Sequence, residues 1–162
     1  MMKMKTELKA KQLVPAILLP LAVGAAASFL TKDGMALFPM LQKPPLSPPA
    51  WLFAPVWTVL YILMGLASAL VSCSGASQPR RERALTVYTW SLVANFVWPL
   101  LFFGLEMYLV AFFWLLLLWM LVAAAALLFH CIERRAGLLM LPYLVWLSFA
   151  AYLNFGVWLL NK

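Results

Sequence analysis

Five stretches of this chain are too apolar and too long to belong to a water-soluble protein of its size. They run over about residues 13–30, 49–72, 85–104, 107–130 and 138–160. Crossing about 30 Å of hydrocarbon takes about 20 helical residues, and each stretch approaches or exceeds that. In lipid, backbone polar groups must be paired inside the segment unless strands close into a barrel. Strand-like alternation is absent, so each stretch is expected to be a helix. The expected fold class is an all-α membrane protein, with residues 1–162 forming a single five-transmembrane-helix bundle. Composition agrees: the chain is 66% hydrophobic and 10% charged, where a soluble domain has about half and a quarter.

The formal charge of +7 does not point to nucleic acid. The basic residues stand in short runs between the apolar stretches, as membrane topology requires. Lys3, Lys5, Lys9, Lys11, Arg80, Arg81, Arg83, Arg134 and Arg135 fall on one side, and only Lys32, Lys43 and Lys162 on the other. Read for a bacterial plasma membrane, this puts the N-terminus in the cytoplasm and the 31–48 connection and the C-terminus outside. The N-terminal lysines, the apolar run and Ala25-Ala26-Ala27 also have the outline of a signal peptide. The run from Leu13 to Leu30 is longer than a usual signal core, and it is read as a membrane helix.

Conventional catalytic chemistry finds little to use. His130 is the single histidine and falls at a helix end. Glu7, Asp33, Glu82, Glu106 and Glu133 are all terminal or in connections, which argues against a proton-coupled pump. Cys73 and Cys131 offer neither a disulfide framework nor metal-ligand spacing. No metal site, required cofactor or acid–base catalyst is expected.

The chain is rich instead in aromatic side chains at helical spacing. The 31–48 connection carries Pro44, Pro45 and Pro48, which favour a stiff, extended lid. It leads into the second apolar stretch, where Phe53, Trp57 and Tyr61 recur at i, i+4, i+8. Asn95, Trp98, Pro99 and Phe102 form a stripe on the third, and Trp146, Phe149, Ala150 and Leu153 on the fifth, with Asn154 and Val157 beside them. Trp51, Trp90 and Trp158, near the ends, suit an interfacial belt. Amides in hydrocarbon demand partners, so Asn95 and Asn154 are expected to face the bundle interior. Spacing alone leaves two readings open: packing between helices, or a pocket in which a few polar groups orient a ligand. Gly24/Ser28 and Gly65/Ala69 have the spacing that lets helices approach closely. The third connection, Gly104-Leu105-Glu106, is so short that the helices it joins are expected to be antiparallel neighbours.

Three dense motifs resemble one known family. Lys43-Pro44, Pro48-Pro49, Phe53, Val56-Trp57, Leu60-Tyr61 and Met64-Gly65 form the first. Ala94-Asn95-Phe96-Val97-Trp98-Pro99-Leu100-Leu101-Phe102-Phe103-Gly104 is the second, and Pro142 to Asn154 with Val157-Trp158 the third. Together they are similar to the translocator protein / tryptophan-rich sensory protein family (TspO/MBR, peripheral benzodiazepine receptor), in its bacterial form. The resemblance implies a homodimeric membrane receptor for tetrapyrroles such as protoporphyrin IX and haem, and for benzodiazepine-type ligands. It implies ligand contacts from Phe38, Pro48, Trp51, Trp57, Tyr61, Asn95, Trp98, Pro99, Phe102, Trp146, Phe149, Ala150 and Leu153. Control of tetrapyrrole transport, or their light-dependent degradation, has been attributed to family members. For the latter, Trp57 and Trp146 are the candidate residues here, and a binding protein rather than an enzyme is expected. The alternative is a transporter or regulatory membrane subunit for small lipophilic metabolites. Tyr152 has no basic residue within five positions after it, so a cholesterol-recognition pattern is not expected there.

Overall fold

The computed structural model describes residues 10–162. Most of the N-terminal lysines of the charge count (Lys3, Lys5 and Lys9) lie outside the described residues. Helices α1 (Ala10–Leu30), α3 (Phe53–Ser72), α4 (Gln78–Pro99), α5 (Tyr108–Ile132) and α6 (Arg134–Leu160) are the five long ones, and each is apolar enough to cross a membrane. A short helix α2 (Lys32–Leu37) lies in the lid. Among the described residues there is no strand.

The helix ends follow local chemistry. Pro79 sits in the first turn of α4, where its missing N–H is harmless, so α4 begins earlier than hydropathy suggests. The guanidinium of Arg81 donates to the Ser72 and Ser74 carbonyls at 3.3 and 3.2 Å, closing the C-terminal end of α3. Glu133 alone separates α5 from α6, and its carboxylate accepts from the Arg135 N–H. Gly137 packs directly on the His130 backbone, so these two helices turn back tightly.

At Pro99 the α-helical ladder loses a donor, and the chain continues as a π-helical turn, Leu100–Gly104. The wider turn sets successive side chains closer in angle, and Phe102 and Phe103 both reach the bundle interior. Glu106, in the left-handed region at φ 54°, ends the turn before α5. Trp114 of α5 donates its indole N–H to the Ala94 carbonyl of α4 at 2.8 Å, so these helices are the expected neighbours.

Glycine sets the closest helix approach. The α face of Gly65 in α3 lies on the backbone of Ala16 and Ile17 in α1, and Gly24 in α1 lies on the Tyr61 ring in α3. Gly24 and Gly65 therefore bring α1 and α3 together. The core runs along the α3, α4, α5 and α6 interfaces through Met64, Leu115, Phe129, Tyr143 and Leu147, all buried.

The lid is not an extended loop throughout. Residues 32–37 are α-helical and Phe38–Met40 form a 3-10 turn, Leu41 and Pro49 are extended, and between them Pro45 and Leu46 make a turn with Leu46 in the left-handed region at φ 67°. Proline restricts only its own neighbourhood, and the 32–37 segment has none. Gly34 packs against the Phe103 carbonyl with no room for a side chain. Further along, Gln42 and Asn161 bond reciprocally: the Gln42 N–H donates to Asn161 Oδ1 at 3.0 Å, and Asn161 Nδ2 donates to the Gln42 carbonyl at 2.8 Å. The Tyr152 hydroxyl donates to the Pro45 carbonyl at 2.8 Å, and Pro44 fills the notch over Gly156.

Candidate functional site

Four elements converge under the lid on a cavity of about 470 Å³. That lies inside the range of about 300–1,000 Å³ for small-molecule sites. From α3 come Phe53, Trp57 and Tyr61, the i, i+4, i+8 stripe. From α4 and its π-helical turn come Asn95, Trp98, Pro99, Phe102 and Phe103. From α6 come Ala150, Leu153, Asn154 and Val157, and the lid supplies Met35 and Phe38. The fourth wall is α1, through Leu21, Gly24, Ala25, Ala27 and Ser28, with Thr31 just past its end.

The aromatic rings of this cavity support one another. Trp57 lies 5.5 Å from Tyr61 and 6.0 Å from Tyr143, centroid to centroid. Trp98 stacks on Phe102 at 5.3 Å. Phe38 descends from the lid between Phe53, Phe102 and Phe103, at 5.8, 6.2 and 5.7 Å. These tilted and edge-on arrangements suit the ring quadrupoles, and they fix the shape of the walls.

Both buried amides are already paired. Asn95 accepts from the Tyr61 hydroxyl at 2.8 Å and donates to the Tyr143 oxygen at 2.6 Å, linking α3, α4 and α6. Asn154 accepts from the Trp98 indole at 3.0 Å and donates to the Tyr108 carbonyl at 2.7 Å, linking α4, α5 and α6. The two open readings of these amides thus merge. They pair across helices, and in doing so present a cavity wall whose polar groups are largely satisfied.

Of the thirteen ligand contacts named from the sequence, Phe38, Trp57, Tyr61, Asn95, Trp98, Pro99, Phe102, Ala150 and Leu153 lie together on this cavity. Pro48, Trp51, Trp146 and Phe149 do not. Trp51 is 71% exposed, at the start of the second span, and Pro48 stays in the extended arm of the lid. Trp146 packs behind Phe53 at 5.9 Å and beside Phe149 at 5.7 Å, one layer outside the cavity. A stripe of residues spans more arc than a cavity subtends, and the rotation of α6 turns Ala150 and Leu153 onto the cavity and leaves Trp146 and Phe149 off it. The α1 wall was missed, although Gly24/Ser28 marked a close approach. Small residues carry no ligand signal of their own.

An apolar, aromatic-walled cavity inside a five-helix membrane bundle defines the class: an integral membrane protein with an internal apolar chamber. Comparison with known proteins then identifies the lineage. The TspO/MBR family profile matches residues 16–159. The chain is 39% identical over 142 residues to the tryptophan-rich protein TspO of Chlorobaculum tepidum, covering 87% of this chain and 90% of that one. It is 39% identical over 152 residues to the protein of the same name in Archaeoglobus fulgidus, covering 93% and 97%. It is 37% identical over 154 residues to the translocator protein of Bos taurus, covering 92% and 91%. The chain belongs to the TspO/MBR family.

Proposed function

We propose that this protein is a receptor that binds tetrapyrroles, such as protoporphyrin IX and haem, in the chamber beneath the lid. The observation that carries this reading is the chamber: about 470 Å³, walled by flat rings, with its amides already paired. A tetrapyrrole is a broad apolar disc with carboxylates along one edge. The disc suits Trp57, Trp98 and Phe102. The carboxylates suit the lid side, where the Lys43 ammonium lies 5.0 Å from the centroid of Phe38, a chamber residue. Of the two indoles considered for light-dependent chemistry, Trp57 stands on the chamber wall and Trp146 one layer behind it.

Titration of the purified protein with protoporphyrin IX tests this. Tryptophan fluorescence is expected to fall with a saturable, micromolar midpoint. Lys43→Ala is expected to weaken protoporphyrin IX about 1.5-fold to fivefold, as a solvent-screened charge pair warrants, and to leave its dimethyl ester unaffected. An absence of quenching at micromolar ligand defeats the proposal.

The same reading places the lid on the outer face of a bacterial plasma membrane, on the charge asymmetry. A C-terminal tag in intact cells is expected to be reached by impermeant reagents, and an N-terminal tag to be protected. The reverse pattern refutes the orientation.

A further inference from the structure

The chamber is closed on one side and open on the other. Every lining residue contributed by α4 and α6 is buried or half-buried. The exposed ones are Ala25 and Ser28 on α1, Met35 in the lid, and Ala50, Ala54 and Thr58 at the entry to and first turns of α3. Apart from Met35 they are small, and they flank a single seam between α1 and α3.

The seam has a defined floor. Toward the far side of the membrane, Gly65 lies against Ala16 and Ile17, and one step up Gly24 lies against the Tyr61 ring. Above Tyr61 the contacts pass to Ala25, Ser28, Ala54 and Thr58, which leave space where larger side chains would close it. Thr58 turns its hydroxyl onto the Ala54 carbonyl at 2.8 Å, so at this position the slot presents a methyl group rather than an unpaired polar atom. Both helices are membrane spans at this level, so the slot faces acyl chains.

The opposite route, through the lid, is fastened at several points. Gly34 is seated on the Phe103 carbonyl, and Phe38 is held among three phenyl rings. Gln42, Pro44 and Pro45 are tied to Asn161, Gly156 and Tyr152 of the α6 end. Opening the lid means breaking most of these contacts together, whereas the slot already stands open.

We infer that the ligand enters and leaves sideways, from the bilayer, through the slot between α1 and α3, with the lid acting as a fixed roof. This rests on the tetrapyrrole-receptor reading only for the identity of the ligand. It makes the substrate class membrane-dissolved: flat, lipophilic molecules that partition into the lid-side leaflet before they bind. Ala25, Ser28, Ala54 and Thr58 then set the width of what is admitted.

Stopped-flow quenching in liposomes tests the route, with protoporphyrin IX dimethyl ester loaded into the bilayer. In Ala54→Phe, association and dissociation are both expected to slow by about tenfold, because entry and exit share one passage. A phenyl ring that merely used up chamber space would speed dissociation instead. With Cys73 and Cys131 replaced by serine, an oxidised Gln42→Cys/Asn161→Cys pair that pins the lid is expected to leave both rates unchanged. A lid-pinned protein that no longer exchanges ligand, or an Ala54→Phe protein with faster dissociation, overturns the inference. An aryl diazirine dissolved in the bilayer separates failure of the slot from failure of the tetrapyrrole reading. On photolysis it is expected to label the α6 wall around Ala150 in the wild type and several-fold less in Ala54→Phe. Equal labelling of the two proteins refutes the slot whatever the ligand.

Discussion

Gly65→Leu is expected to yield little or no monodisperse protein in mild detergent, and to lower the thermal midpoint sharply in whatever survives. A side-chain carbon at this position would sit 2.5 Å from the Ile17 Cα and 2.6 Å from the Ala16 carbonyl oxygen. Both obstacles are backbone, so no rotamer change relieves them. Helix α1 must move away from α3. Overpacking typically costs about 1–3 kcal/mol, and this change displaces a whole helix in a solvent that supplies no hydrophobic force to drive it back. It also dismantles one wall of the chamber, since Gly24 to Ser28 ride on the same helix. Size-exclusion chromatography and a thermal melt check this. A Gly65→Leu protein as stable and monodisperse as the wild type would show that the α1–α3 contact is not what holds the bundle together.

The second large effect concerns binding. Ala150→Phe is expected to weaken protoporphyrin IX by tenfold or more, about 1.4 kcal/mol at the least. Ala150 is 6% exposed and lies on the closed α6 wall. A phenyl ring there has no outward path and must enter the space a ligand would occupy. The effect should appear mainly as faster dissociation, the opposite sign to the slowing expected at Ala54. Equilibrium quenching together with a dissociation trace measures both quantities. An unchanged affinity would mean that the ligand sits elsewhere. Because Ala150, though part of the buried core, also borders the cavity, the added ring has space to enter and the fold is expected to tolerate the change, which far-ultraviolet circular dichroism would register.

Much of this architecture was written locally. Helix number, approximate bounds and the antiparallel α4–α5 pair follow from hydropathy and from a connection too short for any other arrangement. The stripes on α3 and α4 were legible because an aromatic repeat at helical spacing defines a face. The amides on α4 and α6 had to point inward, because hydrocarbon offers them no other partner. Both do, and both are spent on tyrosine and tryptophan partners. A spacing argument cannot assign such pairs, because they join helices that are far apart in sequence.

The proline-rich stretch between Lys43 and Pro49 set the lid's stiffness, but not its attachment. Three contacts with the end of α6 fix where it rests, each between residues more than a hundred positions apart. The helical turn of the lid at Lys32–Leu37 was hidden for a related reason. Its glycine marks a site packed on the Phe103 carbonyl, a contact that exists only once α4 has turned at Pro99.

By itself, then, the sequence determined the solvent, the helices and which faces of α3 and α4 look inward, because hydropathy and periodicity are properties of single segments. The tertiary structure alone decided that α1 completes the chamber, that Trp146 and Phe149 stand behind its wall, and that the opening lies between α1 and α3. Those outcomes depend on how far each helix rotates and how closely two backbones approach. In this bundle that is set by glycine and alanine contacts, which leave almost no trace in a one-dimensional pattern.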